Sequence, residues 1–205
     1  MLFIFNFYSF FCVTKIVLIM KKIVVFASGS GTNAENIIKY FKENGLGVVV
    51  AVYTNNPKAM VIERAAKYDV PTEVFSKDDL FEGKVLHKLN EVRPDLIVLA
   101  GFLLKFPEHI IHAYPDKIIN IHPALLPKYG GKGMFGMNVH RAIVENKESE
   151  TGITIHYVNE NYDEGGVIFQ KSIALTGSET AEQIATEIHE LEQKYFPEVI
   201  GKLIN

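Results

Sequence analysis

"KIVVFASGSGTNAENII", residues 22 to 38, decides the fold. Its first six residues are almost continuously apolar, as a strand covered on both faces must be. Gly29 and Gly31 then let the backbone turn tightly, and Ile37 and Ile38 join Phe41 on one face of a helix that stops at Asn44 and Gly45. The same grammar repeats outward. "GVVVAVY" (47–53), "DLIVLA" (95–100) and "KIINI" (117–121) are further buried strands. Pro57, Ala59, Ile62 and Ala66 fit a second helix that begins at a proline, and Leu80, Val85, Leu89 and Val92 fit a third that ends before Pro94. Strand and helix in alternation give an α/β fold with a single, doubly wound, mostly parallel sheet. After the glycine-rich "GGKGMFG" (130–136), "TGITIHYV" (151–158) and "GVIFQKSIAL" (166–175) flank a turn-rich "NENYDEG" and are expected as an antiparallel pair extending the sheet. A last helix spans about 180–203, with Ile184, Ile188, Leu191 and Tyr195 at helical spacing and a bend at Pro197.

The 205 residues, 48% hydrophobic and 22% charged, suit one globular domain, expected over 20–205. A net charge of -3 without a basic block offers no footprint for nucleic acid, so the expected partners are small molecules. The one cysteine, Cys12, lies in the leading "MLFIFNFYSFFCVTKIVLIMKK", leaving the rest without disulfide, thiolate nucleophile or cysteine metal ligand. A reducing, cytoplasmic compartment is therefore expected. The leader has no basic residue before its apolar run, no small-residue cleavage site, and Lys15 interrupts it short of a spanning length. Residues 1–19 are read as lying outside the fold, with Met20 as the natural start, and no membrane partner is expected.

Three features carry chemistry. The turn after the first strand presents free amides and the positive end of a helix dipole, a ready anion site. Gly29, Gly31 and Ala34 fit the loose dinucleotide pattern G-x-G-x-x-A, but "VYTNNP" at the end of the second strand lacks the acid that would hold a ribose. A phosphate without a dinucleotide fits better; a turn that binds nothing is the plainer alternative. In "IINIHPALLPKYGG" (118–131), alternation puts Asn120 and His122 on one strand face, and Pro123 halts the strand just beyond. In "YDEGG" (162–166), Asp163 sits in a loop from which its carboxylate can hold His122 protonated; alone, the motif reads as a plain turn. His87, His109, His112 and His189 fall on helical stretches without ligand spacing, and His140 and His156 stand isolated, so all are read as surface or satisfied core residues and no metal is expected.

"SGSGTN" (28–33), "LAGF" (99–102), "NIHPALLPKYGG" (120–131) and "YDEGG", in this order, resemble the folate-dependent formyltransferases, from about residue 21 onward. The glycine loop points within them to the branch acting on phosphoribosylglycinamide. The resemblance implies a Rossmann-like formyltransferase fold, 10-formyltetrahydrofolate as co-substrate, and glycinamide ribonucleotide as acceptor in de novo purine (IMP) biosynthesis. It implies a catalytic trio of Asn120, His122 and Asp163, a phosphate loop at Gly31, Thr32 and Asn33, and a ribose-binding carboxylate at Glu192. Folate is expected against Leu103, Leu104 and Val158. The chain departs from the family where "GGKGMFGMNVH" (130–140) replaces a shorter Pro-Gly turn, and where Leu104 and Lys105 stand in place of a frequent arginine. A nucleotide-linked amino sugar as acceptor, and a non-catalytic nucleotide-binding module, are the competing readings. Monomer and homodimer both remain open.

Overall fold

The computed structural model describes residues 20–205, so the expectation for residues 1–19 lies outside them. The strands are β1 (Lys22–Phe26), β2 (Val48–Thr54), β3 (Thr72–Val74), β4 (Leu96–Leu99), β5 (Ile118–His122), β6 (Glu150–Tyr157) and β7 (Val167–Ala174). They form one sheet in the order β3-β2-β1-β4-β5-β6-β7. The first five run parallel, and β6 and β7 run antiparallel, as the sequence suggested. The helices are α1 (Thr32–Asn44), α2 (Val61–Ala66), α3 (Lys77–Phe81), α4 (Lys84–Val92), α5 (Glu108–Ala113), α6 (Met137–Glu145) and α7 (Ala181–Ile204).

Each sheet face buries its own core. One holds Ile37, Phe41, Ile143, Ile184 and Phe196 from α1, α6 and α7. The other holds Leu80, Leu89, Phe106 and Ile110, with Phe26 at the centre of an aromatic cluster. Full cover on both sides is why β1 and β4 read as unbroken apolar runs. The strand order reverses at β1, and the crevice beyond the carboxyl ends of β1 and β4 is where such sheets take ligands.

Several elements differ from the sequence reading. The second helix starts at Val61 rather than Pro57, because Asn56 accepts the Lys58 and Ala59 amides and closes a turn first. The third is two helices. Ser76 and Asp79 form a capping box for α3, and Gly83 (φ +91) starts α4; the five-residue step from Leu80 to Val85 fits no single helical face. β3 is a short edge strand and α6 a further helix, neither expected. In α7, Pro197 lies inside a helix that continues past it. Pro197 lacks the N–H that would bond the Gln193 carbonyl. Asn36 of α1 donates its side-chain amide to that carbonyl at 2.6 Å, so the gap in one helix becomes a fastening to another.

Candidate active site

The loop after β1 narrows into α1 at Gly31, which has φ +73. A Cβ there would stand 2.7 Å from the Val61 Cα, so only glycine fits. No side chain caps the first turn of α1, and its amides keep their capacity for an anion. Ser28 fixes the loop from behind. Its hydroxyl donates to Asn55 Oδ1 at 2.7 Å and accepts from the Leu103 amide at 3.0 Å, tying together the ends of β1, β2 and β4. At the other end of the loop, Asn33 donates to Glu192 Oε2 at 2.8 Å and accepts from Gln193 at 2.6 Å. The phosphate loop and the expected ribose carboxylate, 159 residues apart, are thus directly joined.

Asn120 and His122 do lie on one face at the end of β5. Across the antiparallel β6, Asn120 pairs with His156 and His122 with Thr154. His156 is the site residue that sequence reasoning missed. It is 2% exposed, and its Nδ1 donates to the Tyr157 carbonyl at 2.8 Å, which leaves Nε2 to accept an Asn120 amide hydrogen at 3.1 Å. That bond orients the Asn120 amide and leaves its second N–H to the cavity. Only the pairing register reveals it.

Asp163 sits at φ +57, a conformation Asp tolerates better than most residues. Its carboxylate accepts the Gly131 amide at 2.8 Å and stands 3.6 Å from both His122 Nδ1 and His156 Nε2. Burial opposes its charge, yet the imidazoles of His156 and His122 beside it and the bond from the Gly131 amide prevail and hold its pKa below the usual carboxylate value. For His122 the balance goes the other way. The ring is 3% exposed, and burial outweighs Asp163 and the Tyr129 carbonyl, so its pKa falls below the ordinary imidazole value. The expectation that Asp163 holds His122 protonated is corrected: Asp163 at 3.6 Å, even with Glu192 acting in the same direction, does not offset the loss of water. The neutral ring carries its hydrogen on Nε2, which donates to the Tyr129 carbonyl at 2.7 Å.

Two hollows meet at this cluster. The larger, about 660 Å³, runs from Gly31, Thr32 and Asn33 past Glu192 to Asn120 and His122. The smaller, about 80 Å³, is bounded by Leu104, Val158 and His156. Asn120 and Asp163 border both. The expected folate wall is therefore divided: Leu104 and Val158 line the smaller hollow, whereas Leu103 stands on the rim of the larger one, 55% exposed. Among the described residues, no group of three or more His, Cys, Asp or Glu has the geometry to hold a metal ion, and no helix is long and apolar enough to cross a membrane.

A protein family described as "Formyl transferase" matches residues 21–200. The phosphoribosylglycinamide formyltransferase of Bacillus subtilis (strain 168) is 37% identical over 191 residues, covering 90% of this chain and 95% of that one. The chloroplastic phosphoribosylglycinamide formyltransferase of Arabidopsis thaliana is 36% identical over 190 residues; they cover 89% of this chain but 65% of the plant protein, so the chain spans about two thirds of that relative. Among solved structures, glycinamide ribonucleotide transformylase 1 from Geobacillus kaustophilus superposes with a TM-score of 0.83 at 38% identity, covering 91% of this chain and all of that one. With the sheet order, the strand-end Asn120 and His122 and the facing Asp163 already in place, this similarity along nearly the whole described chain shows that the protein belongs to the formyl transferase family.

Proposed function

We propose that the protein transfers the formyl group of 10-formyltetrahydrofolate to the amine of 5′-phosphoribosylglycinamide, a step of de novo purine biosynthesis. One observation carries this reading: Asn120 and Asp163, with His122 beside them, stand where two adjoining hollows meet, one bearing a phosphate loop and a carboxylate, the other an apolar side formed by Leu99, Phe102, Leu104, Phe106 and Val158. Two substrates entering from the two sides would bring amine and formyl carbon together there. In the larger hollow Gly31, Thr32 and Asn33 hold the phosphate and Glu192 the ribose; Leu103, Leu104 and Val158 receive the folate. The names of the relatives support the same acceptor.

The reaction needs no covalent enzyme intermediate. The amine attacks the formyl carbon, a C–N bond forms, and negative charge gathers on the formyl oxygen. The free N–H of Asn120 donates to that oxygen. His122 enters neutral; the growing oxyanion replaces the Tyr129 carbonyl as acceptor for Nε2–H. The bond from carbon to N10 of the folate then breaks, and the amine's proton passes through Asp163 and a water to N10. Absorbance-followed formyl transfer with purified protein tests the reading. Turnover with glycinamide ribonucleotide is expected. Turnover only with an amino-sugar nucleotide would replace the acceptor, and no formyl transfer to either would leave a binding module.

A further inference from the structure

The stretch 130–140 ends on a residue that the reaction above does not use. His140 stands in the first turn of α6, between Val139 and Ile143, which bury that helix against the sheet. Although the residue is only 5% exposed, it borders the larger hollow, which Ile188 and His189 of α7 also line. Its Nδ1 is sealed from solvent without a hydrogen-bond partner. Nε2, which no described residue bonds, is the nitrogen left to the cavity.

Burial comes first among the influences on this ring and pushes its pKa below the ordinary imidazole value; His122 acts in the same direction and Glu192 against it. The neutral ring carries one hydrogen. Nδ1 goes unpaired in either tautomer, at a cost of roughly 1–3 kcal/mol, but an orphaned buried N–H is rarer in proteins than an under-satisfied acceptor. On Nε2 the hydrogen faces a space that a ligand can fill. Glu192 and His122 line the same hollow as His140, so the ring shares that space with the ribose carboxylate and the reacting centre. A neutral N–H suits an uncharged oxygen, and the phosphate already has the amides of α1.

We infer that His140 is a further binding residue for the acceptor: its Nε2–H donates to an uncharged oxygen of the ribosyl-glycinamide portion, between Glu192 and His122. The inference rests on the acceptor named above. Calorimetric titration of the full chain and of His140→Phe and His140→Gln tests it, with glycinamide ribonucleotide and, separately, a non-reactive folate analogue. His140→Phe keeps the ring's bulk and loses the donor. It should weaken acceptor binding about five- to tenfold, the size of one neutral hydrogen bond, with folate binding within twofold. His140→Gln should recover most of the loss. Ribose 5-phosphate as a truncated probe assigns the atom: an equal loss marks a sugar hydroxyl, and no loss marks the glycinamide carbonyl. A folded His140→Phe that binds the acceptor within twofold of the parent, or that weakens both ligands alike, overturns the inference. Should that variant not fold, the ¹⁵N spectrum of the unsubstituted protein decides: an Nε2–H tautomer that shifts with acceptor but not with folate analogue supports it, and an Nδ1–H tautomer or an unmoved signal refutes it. Failure of the parent itself to bind glycinamide ribonucleotide would overturn the acceptor assignment and the inference with it, a result distinct from equal binding by parent and variant.

Discussion

Asn120 offers two amide hydrogens, and His156 takes one of them. That single bond converts a side chain that could present either its nitrogen or its oxygen into one that presents a donor. His122 has its one neutral hydrogen on the Tyr129 carbonyl, poised to exchange that acceptor for a better one. Removing one preorganised oxyanion donor costs on the order of 100- to 1000-fold in kcat. Asn120→Ala and His122→Ala should each lose at least that, with native circular dichroism; near-normal turnover by either would remove it from the reaction. The protonation state is open to direct measurement. In an NMR titration the His122 ring should titrate below the ordinary imidazole value, and lower still in Asp163→Asn, because the carboxylate is the leading influence that opposes burial. A titration at or above the ordinary value would restore a charged donor.

At the scale of elements, α1 does two jobs: its first turn faces the larger hollow, and its side chains hold α7. Gly31→Val puts a branched side chain into Val61 at φ +73. Overpacking of this kind costs about 1–3 kcal/mol. The acceptor KM should rise with the folate Kd unchanged, and an unmoved acceptor KM would displace the phosphate from this loop. Asn36 tests the fastening at the proline gap. Asn36→Ala leaves the Gln193 carbonyl without its donor at 2.6 Å, and chemical denaturation should show a loss of about 1–3 kcal/mol. Asn36→Ala combined with Pro197→Ala, which returns the helical N–H to that carbonyl, should recover part of it; equal stability of the single and double variants would show that the carbonyl needed no partner.

For the whole molecule, pH acts through several buried rings at once. His122 and His140 have pKa values lowered by burial, so below about pH 6.5, the unperturbed imidazole value, the unfolded chain binds protons that the native state refuses. Their contribution makes stability fall as pH drops. His189 opposes them. Its bond to Glu192 at 3.4 Å raises its pKa, so its contribution is complete below the unfolded value and is lost as pH rises through the folded one. His189→Gln should therefore lose denaturation midpoint more steeply than the parent between pH 8 and 5.5, with the two converging near pH 9; parallel curves would refute the linkage. Six of the seven strands, the parallel sheet with its antiparallel end, and the shared face of Asn120 and His122 were legible from the chain, because periodicity and proline act over neighbouring residues. The break between α3 and α4 was legible in principle, in Gly83 and a five-residue step that the spacing of apolar residues concealed. His156 was not legible: it reaches Asn120 through a register 36 residues away in sequence. Nor was the union of Asn33 with Glu192 or the neutrality of His122, since both depend on what burial brings together and what water it removes. Local pattern by itself determined most of the elements and the strand-end pair; only the tertiary structure decided which distant groups meet there and in which protonation state, because desolvation and cross-strand contact exist only once the chain has closed on itself.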